Sequence, residues 1–299
     1  MTPLTRTALR RSTGSLVRVV EPVPIIGTTD VLIRVKAVAL NWKDAAILNS
    51  KFPWPNCLPT GIHGLGQQAD GTLTDYVVIP VHTLVKVPSH LSWEEASTIG
   101  VAGLTAWNAL NASKSGAGKT ALLQGTGGVS LFALRLAQEL GFRVIITSSS
   151  DEKLERAKRL GAALTINYQA IPKWEDEAMR MTGDVGVDLV VDQGGAATLL
   201  QSVSALKKGG RVSQVGLLTS ESRGSFVPLI QMLIMKACCI QGIQVGTKSD
   251  LMTFCDFLEA TKLNLTPIID RVFDFDDTTK ALQYLTSGNI FGKVVIRIP

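Results

Sequence analysis

At 299 residues, with 45% apolar and 18% charged side chains, the chain has an enzyme-like globular composition and a length that favours two domains. Its net charge of +5 fits an anionic ligand but is too mild and scattered for a nucleic-acid surface, and no apolar run reaches membrane-spanning length because Gln231 and Lys236 interrupt residues 226–240. The cysteines Cys57, Cys238, Cys239 and Cys255 contain no CxxC pair, which argues against a structural zinc lobe and reads as a reduced, intracellular set.

Residues 15–40 alternate in strand fashion, SLVRVV then VLIRVKAVAL, around the turn-forming EPVPIIGTTD. The first strand is therefore expected at residues 15–20. On that reading the acid-free start, with Arg6, Arg10, Arg11 and Arg18 before Glu21, belongs to the fold; a mitochondrial transit segment is the alternative to a cytoplasmic protein. Asn41-Trp42-Lys43-Asp44 opens a short helix through Ile47. A proline-stiffened loop at 52–59 and a glycine-rich piece at 60–71 follow. Strands are expected at 74–80 and 83–87, then a helical region from Trp93 that contains Gly103-Leu104-Thr105-Ala106-Trp107.

The chain is organised around residues 120–141, TALLQGTGGVSLFALRLAQELG. Ala121-Leu122-Leu123 reads as a buried strand, and the turn Gly125-Thr126-Gly127-Gly128 follows at once. A helix at 129–140 carries Phe132, Leu136 and Leu140 on one stripe beside Ala133 and Ala137, and Gly141 stands where a C-terminal cap belongs. Strand, glycine turn and helix make a dinucleotide site, because glycines let backbone N–H groups approach a pyrophosphate and the helix N-terminus favours negative charge. The pattern is Gly125-x-Gly127-x-x-Ser130, with serine at the third glycine position. Further strands beginning near Arg143, Leu164, Asp188, Arg211 and Cys238 alternate mostly with helical segments, which predicts an α/β fold with a doubly wound parallel sheet. The nearby Gly116-Ala117-Gly118-Lys119-Thr120 looks like the end of a P-loop, but it precedes its strand and is expected to be a turn.

An acid at the end of the second strand selects NAD by holding the ribose 2′-hydroxyl. Here that strand runs into Thr147-Ser148-Ser149-Ser150-Asp151-Glu152-Lys153, and the deciding position is the neutral Ser148. Hydroxyls and the Lys153 ammonium suit a 2′-phosphate, so NADPH is expected over NADH. Ser149 and Glu152 also match a helix capping box. Amphipathic helix at 249–263, strand at 268–275, helix at 276–288 and strand at 292–298 close the chain.

Several ordered segments together carry a likeness: VLIRVKAVALNWKD, GLTAW, GTGGVS, EKLERAKRLGA, INY, GGRVSQVG and FGKVV. The chain resembles the medium-chain dehydrogenase/reductase superfamily over nearly its whole length, in the zinc-independent quinone-oxidoreductase-like and enoyl-reductase-like branch. The resemblance implies a GroES-like, mostly β substrate domain from residues 1–94 and 265–299 around a Rossmann NADP-binding domain at 95–264. It places Gly125, Thr126, Gly127, Gly128 and Val129 at the pyrophosphate, with Thr105 nearby. Ser148, Ser149, Lys153 and Tyr168 would surround the 2′-phosphate. Gly216, Leu217, Gly242 and Ile243 would line the nicotinamide side, and Asn41 and Lys293 would reach the cofactor from the substrate domain. It also implies pairing of two copies through the Rossmann edge strand.

In zinc-dependent relatives a cysteine ligand stands where this chain has Asn41, and an amide is a poor metal ligand. Only His63, His82 and His90 remain as other soft ligands besides the cysteines, so no metal is expected. Hydride delivery to a quinone, enone or enoyl C=C is then the natural chemistry, with a zinc-independent alcohol/aldehyde oxidoreductase as alternative. Catalytic candidates are Asn41 with Asp44 and Tyr76 as proton donors, or water. Between Pro59 and Gly71 the family has a longer passage, with a PG-x-[DE]-x-[AS]-G turn and the strands leading to GDRV, that is not found here. Missing barrel strands predict exposed edges and a catalytically impaired, cofactor-binding form as a second reading. RNA binding, known for some relatives, has no aromatic-basic platform to support it. The vicinal Cys238-Cys239 reads as buried packing.

Overall fold

The computed structural model describes residues 3–12, 15–49, 70–111, 115–216 and 227–299. In chain order they form β1 (Thr5–Ser12), β2 (Ser15–Pro22), β3 (Asp30–Arg34), β4 (Ala37–Leu40), α1 (Trp42–Leu48), β5 (Tyr76–Pro80), α2 (Trp93–Thr98), α3 (Leu104–Leu110), β6 (Thr120–Gln124), α4 (Gly128–Glu139), β7 (Arg143–Ser148), α5 (Asp151–Arg159) and β8 (Leu164–Asn167). They continue with α6 (Trp174–Met181), β9 (Val187–Asp192), α7 (Leu199–Ala205), β10 (Leu206–Gln214), α8 (Val227–Lys236), β11 (Cys239–Gly242), α9 (Lys248–Thr261), β12 (Ile269–Asp274), α10 (Thr278–Leu285) and β13 (Lys293–Arg297). A π-helical turn, Ile99–Gly103, joins α2 to α3. The chain divides into two compact units, Met1–Gly100 with Leu251–Pro299, and Val101–Asp250. These divisions lie at 100/101 and inside α9, against the expected 94/95 and 264/265.

The central unit holds a six-stranded sheet in the order β8-β7-β6-β9-β10-β11. All its pairings are parallel. Numbered within the sheet this is 3-2-1-4-5-6, the dinucleotide-binding order, with the topological switch between β6 and β9. Parallel strands covered on both faces read as apolar runs, and Ala121, Leu122 and Leu123 of β6 are fully buried. Leu122, Ile145, Ile166 and Val190 share a core with Trp174, Val203 and Val212. The stripe on α4 is as expected, since Phe132, Ala133, Leu136 and Ala137 have no exposed surface. Gly141 has φ +82° and its N–H donates to Gln138 O at 3.0 Å, closing the helix. The segment at 116–119 is a turn before β6, with Lys119 N–H donating to Gly116 O at 2.9 Å.

The outer unit contains small sheets. β1 and β2 form an antiparallel hairpin, β3 pairs antiparallel with β5, and β13 lies between parallel β12 and antiparallel β4. Its core joins Leu40, Ala45, Phe275, Ala281, Val294 and Ile296. Three expectations are corrected. The first strand is β1, upstream of residue 15, because Arg6 is buried and bridges Glu21 at 2.8 Å and Asp70 at 3.0 Å. Residues 83–87 form no strand; a 3₁₀ turn at Val81–Thr83 intervenes, with Leu84 N–H donating to Val81 O at 3.2 Å. The cap of α5 is Ser150, whose Oγ accepts from Lys153 N–H at 3.4 Å, one residue beyond the Ser149/Glu152 box. Most of the apparent gap, residues 60–69, lies outside the described residues.

Candidate functional site

The glycine turn leaves β6 and enters α4 without a protein cap: Gly127 is the N-cap residue and no side chain bonds the first-turn N–H groups. Those groups have no intrahelical acceptor either. Gly125 sits at φ +74°, and a Cβ added at Gly125 or Gly127 would meet nothing within 4 Å. Open space before an uncapped helix N-terminus, with glycines allowing close approach, fits a cofactor pyrophosphate. Ser130 does not face that space, since its hydroxyl donates to Gln124 O at 2.7 Å and ties α4 to the end of β6. Thr105 is buried in α3 and donates to Val101 O at 2.6 Å.

At the end of β7 the structure brings Ser148, Ser149, Lys153 and Tyr168 into one neighbourhood. Tyr168 N–H donates to Ser148 O at 3.1 Å, and the Tyr168 side chain is exposed. Ser148 itself is only 3% exposed, and its Oγ accepts from Ser150 N–H at 3.4 Å. The nearest acid to the strand end, Asp151, accepts from Asn167 Nδ2 at 2.8 Å.

Across the switch, three strands end in polar residues, Gln124, Asp192 and Gln214, which the sequence analysis did not single out. For two of them the signal was there: Gln124 and Asp192 close the mostly apolar runs TALLQ and VDLVVD, whereas Gln214 closes the polar LKKGGRVSQ. Asp192 has no exposed surface, and its carboxylate accepts from Gln124 Nε2 at 3.1 Å, Gln214 Nε2 at 3.1 Å, Thr198 Oγ1 at 2.8 Å, Ser202 Oγ at 2.5 Å and Gly195 N–H at 2.9 Å. Gly216 follows β10 and its N–H donates to Asp192 O at 3.1 Å. A Cβ there would fall 2.0 Å from Gln193 O, so only glycine fits. Gly242 ends β11 and Ile243 follows it, with Ile243 N–H donating to Gln214 O at 2.9 Å. Leu217 lies outside the described residues.

In the outer unit, Asn41, Asp44 and Lys293 come together. Lys293 is buried on β13, and its ammonium donates to Leu40 O and, at 2.8 Å, to Asn41 Oδ1. Asp44 closes the first turn of α1 by accepting Asn41 N–H at 2.7 Å. Burial lowers the Lys293 pKa to about 8 against the opposing pull of Asp44. Burial likewise raises the Asp44 carboxyl, opposed by the Asn41 N–H and by the Lys43 and Lys293 charges. Tyr76 stands apart on β5; its carbonyl, rather than its hydroxyl, accepts from Thr74 Oγ1 at 3.2 Å. An ammonium bonded to Asn41 Oδ1 does not suit that amide as a cation ligand. Among the described residues no three His, Cys, Asp or Glu side chains could hold a metal, and Cys57 and His63 lie outside them.

A family profile described as zinc-binding dehydrogenase matches residues 128–260. A zinc-type alcohol dehydrogenase-like protein of Schizosaccharomyces pombe is 37% identical over 316 residues, covering 90% of this chain and 91% of the relative. That alignment is longer than the whole 299-residue chain, so stretches of the relative have no counterpart here. Among solved structures, an NAD-dependent alcohol dehydrogenase matches with TM-score 0.83 and 29% identity, covering 98% of this chain and all of that one. The quinone oxidoreductase of Coxiella burnetii matches with TM-score 0.75 and 25% identity, covering 99% of this chain and all of that one.

Proposed function

Because the chain belongs to the medium-chain dehydrogenase/reductase superfamily, we propose that it is an NADPH-dependent oxidoreductase that delivers hydride to a quinone, enone or enoyl C=C without a catalytic zinc. The observation that carries the cofactor is the open glycine turn at the uncapped N-terminus of α4. The absence of a carboxylate at Ser148, with Lys153 beside it, favours the 2′-phosphate. The cofactor supplies the hydride when bound. The chain's own part is to hold the pyrophosphate on residues 125–129, to keep Gly216, Gly242 and Ile243 at the strand ends, and to provide the half-buried Asp44 as proton donor. The Lys293 ammonium on Asn41 supports zinc independence, since it repels a second cation. Elemental analysis of purified protein checks that point, and stoichiometric zinc would reverse it.

A thermal melt without cofactor, with NADPH and with NADH tests the reading, because a ligand of the folded state raises the midpoint by mass action. A shift with NADPH greater than with NADH is expected, followed by NADPH oxidation with a quinone or enone. No shift with either would sink it. A second reading, a cofactor-binding form of impaired activity, is favoured by β2 and β3, which contain no fully buried residue. A shift without turnover on any acceptor would select it. We also propose a homodimer across β11 and α8, where Ile230, Ile234 and Met235 are exposed; sedimentation at a monomer's mass would refute it.

A further inference from the structure

The Asp192 cluster is a charge placed where water cannot reach it. Gln124 Nε2, Gln214 Nε2 and the Gly195 N–H can only donate to the carboxylate, and the Thr198 and Ser202 hydroxyls complete the shell around its two oxygens. No ion pair among the described residues involves it. A buried charge without a counter-ion is costly, and a structural tie between strands needs no charge, since neutral groups serve. The cluster also spans the place where a doubly wound sheet holds its ligand, outside the carboxyl ends of the strands at the switch point. Gln124, one residue before the glycine turn, donates to Asp192 and accepts from Gln193 N–H at 3.0 Å and Gly194 N–H at 3.2 Å through Oε1. On the other side Gln214 donates to Asp192 at 3.1 Å and to Gly216 O at 2.8 Å. One network thus runs from the pyrophosphate turn to the nicotinamide-side loop.

We propose that Asp192 is a positioning residue for hydride transfer whose buried, unneutralised carboxylate favours the oxidised, positively charged nicotinamide ring over the neutral reduced one. This rests on the cofactor reading above. The oxidised ring carries one positive charge that the reduced ring lacks, and a fixed negative charge in a low-dielectric surrounding attracts the first only. The site then favours release of hydride by the bound reduced cofactor. Gln124 and Gln214 hold the strand ends at a set distance from that charge.

The test measures dissociation constants of NADP⁺ and NADPH for the wild type, Asp192→Asn and Ser202→Ala, at one pH and ionic strength. In Asp192→Asn the ratio Kd(NADP⁺)/Kd(NADPH) is expected to rise roughly threefold or more. Ser202→Ala removes a donor but keeps the charge, and should leave the ratio unchanged. Equal factors on both cofactors in Asp192→Asn would mean a purely structural role and overturn the proposal. If that variant shows no cooperative melt, Asp192→Ser is read in the same way, and failure of both to fold also assigns Asp192 to structure alone. A wild-type protein that binds neither cofactor overturns the reductase reading instead, which is a distinguishable result.

Discussion

Lys293 gives the residue scale its clearest consequence. Its folded pKa of about 8 lies below the ordinary 10.5 because burial disfavours the ammonium. Below pH 8 the proton stays on in both folded and unfolded chains, and the cost of the buried charge is fully present. Between about 8 and 10.5 the folded protein loses the proton first, so stability rises with pH in that window. Denaturant melts of the wild type should show a gain of about 2 kcal/mol from Lys293 between pH 7 and 9.5. Lys293→Met should lack it, and parallel pH profiles for the two proteins would disprove the assignment. The glycines divide by what lies beside them. Gly127→Ala adds a methyl to open space, so the melting midpoint should hold while NADPH binding weakens by roughly tenfold, since the methyl blocks close backbone approach. Gly216→Ala drives a methyl into Gln193 O and should cost about 1–3 kcal/mol of stability, read from the same melts.

At the scale of elements, the β1–β2 hairpin is tied by two cations, Arg6 and Arg10, that share Glu21 and Asp70, and Arg6 is the buried one. Arg6 reaches Glu21 on β2, Asp70 and, at 3.3 Å, the Tyr76 carbonyl on β5, while only 4% of its side chain is exposed. Arg6→Met should destabilise by about 1–2 kcal/mol; Glu21 and Asp70 keep Arg10 as a partner, and Asp70, being 60% exposed, is also rehydrated. Chemical denaturation checks this, and an unchanged midpoint would show that Arg10 and β1–β2 pairing suffice to hold the hairpin. The same cluster explains why the arginine-rich start was misplaced by one strand. Alternation is weak in TRTALRRS, and the partners that bury Arg6 lie 15 and 64 residues away. By contrast α4 was legible almost to its ends, because its helical stripe and its terminal glycines are local signals.

Across the whole molecule, burial is uneven. β6, β7 and β9 are almost entirely buried, whereas β2 and β3 have no fully buried position. Native-state hydrogen exchange should therefore show slow amides in β6, β7 and β9 and much faster exchange in β2 and β3. Equal protection in both sets would show that β2 and β3 are packed as firmly as the parallel sheet. That contrast agrees with an alignment to the S. pombe relative that is longer than this chain.

The sequence by itself determined the central sheet, its parallel βα rhythm, the glycine turn with α4, and membership of the superfamily. These rest on periodicities and turn residues that act over a few positions, and on segments whose order along the chain is itself the signal. Only the tertiary structure decided that Asn41, Asp44 and Lys293 form one cluster, since Lys293 bonds a residue 252 positions away. It alone showed that Ser148 is buried at the end of β7 and that the ends of β6 and β10 converge on Asp192. Such facts depend on which strands become neighbours across the switch point. Long-range pairing of that kind leaves no spacing in the chain from which a contact between two polar side chains can be read.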